Sequence, residues 1–279
     1  MAKFTIQISV LHGKYLGKIL SSIDRVTAGE VEVIVVNSGR SDEVSQLCSY
    51  YGALEIKRNC SLLMSRYLGT VNATGDYVLI LDETRMPSDG LLESVLNSPH
   101  EMMAFPEIQV GKGLINWLDS LDKRITFERQ NSSTGIPLVI PRLYSTCLLM
   151  EAFSRIRSKL SSDIFSRIVA KDDRIIFSEA SIIAGSDVFL SELSILHYND
   201  TNIFKEFRKY FRYGATSSYL IGTPYEGMLT LSDKFRKINR AAEVPVFFLH
   251  GFRGIAFSAG LYLERLKSRN KEVPKDGFF

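Results

Sequence analysis

The chain has 279 residues, of which 45% are hydrophobic and 23% charged, and this composition excludes an intrinsically disordered protein. Its net charge of +3 and pI of about 8.6 are too mild to indicate nucleic acid as a partner. The three scattered cysteines have no CxxC spacing, so they indicate neither a disulfide framework nor a zinc site. The first residues enter a strand pattern without the apolar stretch of a secretory signal, so we expect a cytoplasmic protein.

Strand patterns alternate with helical patterns through the first hundred residues. Apolar and polar residues alternate over 4–10, as in a half-buried strand, whereas 75–82 contains a continuous apolar run typical of a strand buried on both faces. The predicted strands cover 4–11, 30–36, 54–57 and 75–82, and the helical patterns cover 14–26, 44–51 and 62–71. This alternation predicts an α/β fold with a parallel sheet and right-handed crossovers.

The fourth predicted strand delivers Asp82 to its C-terminal end. Ligands of open α/β sheets bind at that end, so Asp82 is a candidate ligand for a metal and for a phosphorylated molecule, with a loop acid as the alternative. Neither GxGxxG nor GxxxxGKS follows the first strand, so neither a dinucleotide site of the usual kind nor a P-loop is predicted. We expect a turn at 83–88 before the next helix.

The second hundred residues have a less regular pattern. Asp163 precedes an apolar helical run, and a helix cap is the simplest role for it. His197 follows a strand, as Asp82 does, and a structural role is its alternative. The polar stretch 130–135 is a candidate lid or a plain surface connection. We expect strands at 102–110, 138–140 and 174–177, helices at 114–127 and 145–160, and a strand-rich stretch at 182–196.

The last quarter is basic and rich in aromatic residues. An amphipathic helix is predicted over 203–221, and 244–263 is a mostly apolar stretch interrupted by His250 and Arg253. A charge near the centre of a spanning helix costs about 2.5–3.5 kcal/mol, so a helix lying in the membrane interface fits better. The alternative is a helix packed on the protein core. The excess of basic residues indicates a phosphate-bearing or membrane-surface partner.

Taken in order, these landmarks resemble the family 2 glycosyltransferases, which have the GT-A fold. The turn VNSGRSD at 36–42, the segment SRYLG at 65–69 and the strand ATGDYVLILDET at 73–84 match three family motifs in their family order. Weaker matches follow at Ser162 and Asp163, at His197, and in the sequence RYG at 212–214. The acidic partner of the family's acidic pair is missing before Asp163, and Thr84 replaces the second acid of the strand motif.

The resemblance implies a role for each matched residue. Ser38 would lie near the nucleobase, Arg66 near the nucleotide and Asp76 on its ribose or base side. Asp82 would bind Mg or Mn, with His197 assisting because Thr84 adds no charge. Asp163 would be the general base of an inverting transfer. The donor-binding residues implied in this way are Ser38, Arg66, Asp76, Asp82, Thr84 and Arg212.

The resemblance also implies an organisation and a set of partners. We expect a mixed sheet flanked by helices over 1–200, with a nucleotide-sugar half at 1–100 and an acceptor half at 101–200. A basic, aromatic, helical appendage at 201–279 follows. The partners would be a nucleotide-sugar donor and a glycan or other acceptor. The composition of the tail, and not the resemblance, indicates that 244–264 touches the cytoplasmic face of a membrane and that the acceptor is lipid-linked. The alternatives are a degenerate binding protein of the same fold, a sugar-phosphate nucleotidyltransferase, and an unrelated doubly wound protein.

Overall fold

The computed structural model describes residues 4–27, 31–97, 99–132, 140–185, 187–199, 201–229 and 243–272. Its strands are β1 (Phe4–Val10), β2 (Val31–Asn37), β3 (Leu54–Lys57), β4 (Tyr77–Asp82), β5 (Arg85–Pro87), β6 (Met102–Ala104), β7 (Glu107–Val110), β8 (Leu143–Ser145), β9 (Phe189–Leu190) and β10 (Ile195–Tyr198). Its helices are α1 (Leu16–Thr27), α2 (Asp42–Tyr50), α3 (Leu62–Val71), α4 (Leu91–Asn97), α5 (Leu114–Ser132), α6 (Thr146–Lys159), α7 (Ser162–Arg167), α8 (Asp172–Ala184), α9 (Ile203–Ser217) and α10 (Val244–Glu272).

The larger sheet is mixed, with the strand order β3-β2-β1-β4-β8-β6-β9. β1 pairs in parallel with β2 and β4, whereas β8 runs antiparallel to its neighbours β4 and β6. The register places Val10 beside Asn37 and Ser9 beside Asp82, so β1, β2 and β4 end at one edge. The predicted mixed α/β sheet flanked by helices is therefore confirmed, including a helical C-terminal part.

The apolar run of β4 is explained by burial on both faces of the sheet. Leu79 and Leu81 belong to one core cluster, together with residues of α1 and α4. Val78 and Ile80 belong to a second cluster, together with residues of α3, α6 and α8. A strand covered by helices on both sides cannot have a polar face, so its sequence does not alternate.

β1 is not half-buried as its alternating sequence predicts, because its polar residues are buried as well. Thr5, Gln7 and Ser9 lie under α3, where Gln7 and Ser65 both hydrogen-bond to the Ser9 hydroxyl, at 2.9 and 2.8 Å. Gly69 allows this close approach, because a Cβ there would overlap the Gln7 side chain. The Thr5 hydroxyl donates to Glu32 at 2.6 Å, so each of these three buried side chains makes at least one hydrogen bond.

A smaller sheet, with the order β5-β10-β7, lies next to the end of β4. β10 runs antiparallel to β5 and parallel to β7. The turn predicted at 83–88 therefore contains a strand, and the single strand predicted at 102–110 is two strands in different sheets. The division falls next to Pro106, which lacks the N–H that a continuous strand would donate. This sheet carries His197 on β10 and Glu107 on β7.

The strand predicted at 174–177 is wrong, because these residues lie in α8. Asp172 and Asp173 occupy its first turn, where acids are favoured by the helix dipole. Ile175 and Ile176 are buried against α6 and its neighbours, so the apolar run serves a helix–helix contact. Helix continues to Ala184, and the strand-rich stretch predicted at 182–196 contains the short β9 and the start of β10.

Two further predicted segments lie partly outside the described residues. α5 continues to Ser132, so the candidate lid at 130–135 starts inside a helix, and 133–135 lie outside the described residues. The strand predicted at 138–140 also falls there, except for Ile140, which is not in a strand. The strand that reaches the sheet nearby is β8.

α10 packs lengthwise on α9 and also contacts α5. Gly214 on α9 and Gly260 on α10 permit a close approach, since a Cβ at either would overlap a carbonyl oxygen of the other helix. Arg253 turns toward this contact and is buried against Asp119 of α5 and Glu206 of α9. The charge in the apolar stretch is thus paired inside the protein. The division at residue 200 stays a prediction.

Candidate active site

A cleft of about 690 Å³ lies where β1, β2 and β4 end. Its other walls come from β10, from the start of α8, and from the facing parts of α9 and α10. The carboxyl ends of parallel strands are the usual place for ligands in open α/β sheets. The residues predicted from the sequence that line this cleft are Ser38, Asp82, Thr84, His197 and Arg212.

The turn after β2 holds Ser38 at the rim of the cleft. The Ser38 amide donates to the Val10 carbonyl at 2.8 Å, which ties the ends of β1 and β2 together. Gly39 allows this contact, because a Cβ there would overlap the carbonyl oxygen of Leu11. Asn37 closes the turn by accepting from the Ser41 amide at 3.2 Å. These contacts fix the turn that carries Ser38 at the edge of the cleft.

Asp82 is held by the two residues that follow it closely in sequence. Its Oδ1 accepts from the Thr84 amide at 3.0 Å and from the Thr84 hydroxyl at 2.5 Å. Its Oδ2 forms an ion pair with the Arg85 guanidinium. Burial, the largest single effect, acts to raise the pKa of Asp82, but the charge of Arg85, together with neighbouring charges and the Thr84 hydrogen bond, holds that pKa well below its usual range. Asp82 is therefore ionised and fixed in orientation.

Arg85 belongs to a buried ion-pair network centred on Glu107. Arg85 Nε donates to Glu107 Oε1 at 2.9 Å, and Arg142 Nη2 donates to the same oxygen at 2.9 Å. Lys123 Nζ lies 2.8 Å from Glu107 Oε2. These cations outweigh burial and keep the pKa of Glu107 well below its usual range. The network fixes Arg85 between two carboxylates on β4 and β7.

His197 reaches the same network from β10. Its Nδ1 hydrogen-bonds with the Gln109 side-chain amide at 2.9 Å and lies 3.7 Å from Glu107 Oε2. Burial, together with the nearby charge of Arg85, lowers the pKa of His197 to about 3, although Glu107 and Asp82 act in the opposite direction. The imidazole is therefore neutral at physiological pH.

The residues around Asp82 do not form a divalent-cation site as they are arranged. Both Asp82 oxygens are engaged, by Thr84 and by Arg85, and a hard cation needs several free oxygen ligands. Glu83 also lines the cleft, but its carboxylate is engaged by the amides of the β1–α1 loop, at 2.8 Å from His12 and 2.5 Å from Gly13. Within the described ranges, no three His, Cys, Asp or Glu side chains cluster as metal ligands would. The cation predicted at Asp82 and His197 stays a prediction.

An acidic pair missed by the sequence interpretation lies at the start of α8. Asp172 is buried and forms an ion pair with Arg66 at 2.6 Å, while Asp173 lines the cleft. Burial raises the pKa of Asp172. Burial also acts to raise the pKa of Asp173, but the charges of Arg66 and Arg142 lower it below its usual value. Asp173, the acid facing the cleft, therefore has the lower pKa of the pair.

The signal for this pair was present in the sequence. The family resemblance requires two adjacent acids, which Ser162 and Asp163 do not provide and Asp172 and Asp173 do. A strand was predicted at 174–177, immediately after the pair, so the start of α8 at Asp172 and Asp173 was not predicted. Arg66, which was expected near the nucleotide, lies beneath the cleft with its side chain only 5% exposed.

Besides Arg66, two predicted site residues do not line the cleft. The Asp163 side chain is 65% exposed and pairs with Arg167, whose Nη2 lies 2.7 Å from its Oδ1. The cap of α7 is Ser161, whose hydroxyl accepts from the amide of Ile164 at 3.3 Å, so Asp163 lies in the first turn and faces solvent. Asp76 precedes β4, at the edge of the sheet opposite the cleft. Neither position allows direct contact with a ligand in the cleft.

The helical wall contributes cations that face the cleft. Arg212 on α9 is exposed, and Arg174 near the start of α8 is partly exposed. In the described part of the chain, neither guanidinium has an ion-pair partner within 4.0 Å. Lys209 also lines the cleft, but its ammonium lies 2.8 Å from Glu206. The cleft therefore contains positive charge as well as the carboxylates of Asp82 and Asp173.

No protein-family model matches the chain, and no curated protein matches it. Among solved structures, glucosyl-3-phosphoglycerate synthase from Mycobacterium tuberculosis, in complex with Mn²⁺, UDP and glucosyl-3-phosphoglycerate, matches with a TM-score of 0.51 at 12% identity, covering 79% of each chain. S. aureus TarS 1-349 matches over 98% of this chain and 94% of its own, with a TM-score of 0.47 at 15% identity. The mannosyltransferase PcManGT from Pyrobaculum calidifontis, in complex with GDP-Man and Mn²⁺, matches over 99% of this chain and 76% of its own, with a TM-score of 0.49 at 12% identity. These neighbours are glycosyltransferases, and the chain has the GT-A type of fold.

Proposed function

We propose that this chain is a glycosyltransferase that moves a sugar from a nucleotide-sugar donor to an acceptor hydroxyl or phosphate with inversion. The observation that carries the proposal is the convergence of Ser38, Asp82, Asp173 and Arg212 on one cleft at the carboxyl edge of the sheet. These side chains supply a polar rim, a fixed carboxylate, a candidate base and a cation, which are the groups that a nucleotide sugar and its acceptor require.

On the donor side, each group has a distinct task. Ser38 would meet the nucleoside, because it stands on the rigid turn after β2. Asp82 would accept hydrogen bonds from donor hydroxyls, since it is ionised and oriented by Thr84. Arg212 would contact the diphosphate, because guanidinium groups match phosphate oxygens in geometry and charge.

On the acceptor side, Asp173 takes the place of Asp163 as the proposed general base. It is ionised, it lines the cleft, and its backbone is fixed at the start of α8. It would accept the acceptor proton as the acceptor oxygen attacks the anomeric carbon from the face opposite the diphosphate. General-base catalysis of this kind contributes about 10²–10⁴-fold in rate.

Two variants test the base directly. Asp173→Asn should lower turnover by about 10²–10⁴-fold and leave donor binding nearly intact. Asp163→Asn is the matched control, because it makes the same change on a solvent-exposed residue outside the cleft. Donor hydrolysis and single-turnover transfer would be measured for both. Full activity of Asp173→Asn would contradict Asp173 as the base. Loss of activity in Asp163→Asn alone would favour Asp163, the base predicted from the sequence.

A panel of nucleotide sugars tests the proposed function as a whole. Ligand binding to the folded state raises the melting temperature, so UDP-, GDP-, CDP- and dTDP-sugars would be compared by thermal shift. One of them should stabilise the chain and also be slowly hydrolysed in the absence of acceptor. Stabilisation without hydrolysis or transfer would favour the degenerate binding protein, and no stabilisation by any member would contradict both.

We also propose that α10 rests on the surface of an anionic lipid bilayer and brings the cleft to a lipid-linked acceptor at the cytoplasmic face. By length and composition, one helix in the described part of the chain, Val244–Lys267, could cross a membrane, but core helices also pass that test. Its inner face is packed on α9 and α5, with Arg253 paired inside. The opposite face is exposed along the helix, with Ser258 as a polar position in it, and its apolar and glycine positions are Val244, Phe248, Gly251, Ile255, Tyr262 and Leu266.

Charge favours a lipid surface as the partner of this exposed face. Exposed Lys267 lies near its C-terminal end, and on α9 the exposed Phe204 and Phe207 alternate with Lys205 and Arg208. Apolar side chains bordered by basic ones bind anionic interfaces through both burial and charge. If α10 lies on the membrane surface in this way, its inner face stays packed on the protein and its apolar outer face is removed from water by lipid.

Vesicle flotation tests this contact. The full chain should float with phosphatidylglycerol vesicles more than with pure phosphatidylcholine vesicles, and the Phe248→Ser/Ile255→Ser double variant should lose this binding. Ile182→Ser is the control, because Ile182 is 58% exposed and lies on α8. If the chain does not float, and the double variant instead converts a dimer to a monomer in light scattering, the face binds a second copy and the membrane proposal is wrong.

A further inference from the structure

The positive charge beside Asp82 comes from the protein itself. Arg85 lies against Asp82 Oδ2 and donates through Nε to Glu107, so its guanidinium occupies the space between two buried carboxylates. Its side chain is only 14% exposed. A cation that approached Asp82 from the cleft would have to displace this guanidinium or bind beside it, where like charges repel.

The local sequence explains why Arg85 can take this position. Thr84 presents a hydroxyl to Asp82 Oδ1 at 2.5 Å, at the place where a second carboxylate would have contributed a metal ligand. Arg85 follows on β5, whose antiparallel pairing with β10 sets Arg85 opposite His197. The Asp82 carboxylate and the Arg85 guanidinium thus lie where the family's strand motif would have two carboxylates and a metal ion.

From this arrangement we infer that donor binding and glycosyl transfer by this chain require no divalent cation, because Arg85 orients Asp82 and Arg212 with Arg174 neutralises the departing diphosphate. The inference rests on the proposed function. It also accounts for the disagreement between the Mn²⁺ in structures of fold neighbours and the absence of a fitting ligand set around Asp82. Guanidinium groups are suited to this task because each offers five donors in a planar fork.

The transfer step balances without a metal. The acceptor oxygen loses its proton to Asp173 and forms the new bond to the anomeric carbon. The bond from that carbon to the diphosphate breaks, and the electron pair leaves with the diphosphate oxygen. The additional negative charge on this oxygen develops in the cleft, where Arg212 and Arg174 present positive charge. Preorganised cations of this kind stabilise such charge without rearrangement during the reaction.

Calorimetry on the full chain with nucleoside diphosphates tests the inference. UDP, GDP, CDP and dTDP would be titrated in EDTA and again with Mn²⁺ or Mg²⁺. The diphosphate that binds should do so with the same Kd, within about threefold, in both conditions. Binding that appears only with the cation would overturn the inference and leave the proposed function intact. If no diphosphate bound in either condition, the proposed function would fail and the inference with it.

Variants separate the roles of the arginines. Arg212→Gln should weaken diphosphate binding in EDTA by about tenfold or more, and Mn²⁺ should not restore it. Arg85→Lys should remain independent of the cation, because a positive charge stays between Asp82 and Glu107. Arg85→Met should bind poorly in EDTA and recover part of its affinity with Mn²⁺, since Asp82 Oδ2 is then free to be a ligand. Arg155→Gln is the control, since Arg155 pairs with Glu151 on the surface of α6.

Circular dichroism and melting temperature would establish that each variant folds. If Arg85→Met does not fold, Arg85→Lys and Arg212→Gln still decide the question, because cation dependence in Arg85→Lys would contradict the inference. Thr84→Asp in the Arg85→Ser background rebuilds two carboxylates at the end of β4. It should acquire Mn²⁺-stimulated binding that the unmodified chain lacks, and equal stimulation of both proteins would overturn the inference.

Discussion

Replacing Arg253 with methionine should destabilise the contact between α10 and the rest of the protein by about 3 kcal/mol. Arg253 Nε donates to Glu206 at 2.7 Å, and the guanidinium also pairs with Asp119. Removing one partner of a buried ion pair costs about 3–5 kcal/mol, because the remaining charge is left in a poorly solvated place. The lower end applies here because each carboxylate keeps one partner: Lys209 Nζ lies 2.8 Å from Glu206, and Asn199 Nδ2 lies 3.1 Å from Asp119.

Urea denaturation of the full chain at several pH values measures this effect. Although burial opposes them, Lys209 and Arg253 hold the pKa of Glu206 below its usual value. A carboxyl with a lowered folded-state pKa stabilises the protein above its unfolded pKa, near 4.3, and loses that contribution as the pH falls through the folded value. The difference between Arg253→Met and the unmodified chain should therefore be largest near neutral pH and should shrink below about pH 4.

Lys267→Met is the matched control on the same helix. Lys267 is exposed and pairs weakly with Glu264, at 3.4 Å, so its loss should change stability by less than about 0.5 kcal/mol. Adding Glu206→Gln to Arg253→Met should recover part of the lost stability, because it removes one of the two buried carboxylates that no longer pair with Arg253. Equal stability of Arg253→Met and the unmodified chain at neutral pH would refute the conclusion that this arginine anchors α10 to the domain.

Two other predictions concern the cleft and the helix contact. His197 should show no titration between pH 5 and 8 by NMR, because its folded-state pKa is about 3. Since this value lies below an unfolded value near 6.5, the free energy of unfolding should fall as the pH drops below about 6.5. His197→Gln should remove that part of the pH dependence. A His197 resonance titrating near pH 6.5 would contradict the buried, neutral imidazole. Gly214→Val should destabilise α10, because the added side chain would overlap the Phe257 carbonyl, whereas Gly227→Val adds the same side chain at a glycine with open space around it and should be much milder in a thermal melt.

The spacing of apolar residues was enough to predict an element where only one type of secondary structure fits that spacing. The apolar run ending at Asp82 was predicted as a buried strand, and it is β4 with a helical layer on each side. α3 covers Leu62–Val71, the range predicted from its apolar spacing and followed by a short polar turn. The ends of parallel strands lie at one edge by necessity, so the positions of Ser38 and Asp82 at one cleft also followed from the order of elements.

Local pattern failed where the same residues suit two structures. The run that begins with Arg174 satisfies a short strand and a buried helix segment equally well, and packing against α6 decided for the helix. That decision also placed Asp173 at a helix start facing the cleft, which moved the candidate base away from Asp163. The segment around Pro106 was similarly ambiguous, because the break between β6 and β7 depends on which sheet each half joins.

By itself, the sequence determined the α/β class, the order of the central elements and the edge of the sheet where the cleft lies, because each depends on periodicity or on chain direction. Only the tertiary structure decided which charges meet. Arg142 reaches Glu107, Arg66 reaches Asp172 and Arg253 reaches Glu206 across long separations in sequence. The charge state of Asp82 depends on such distances and on burial, and neither quantity is encoded in the spacing of residues along the chain.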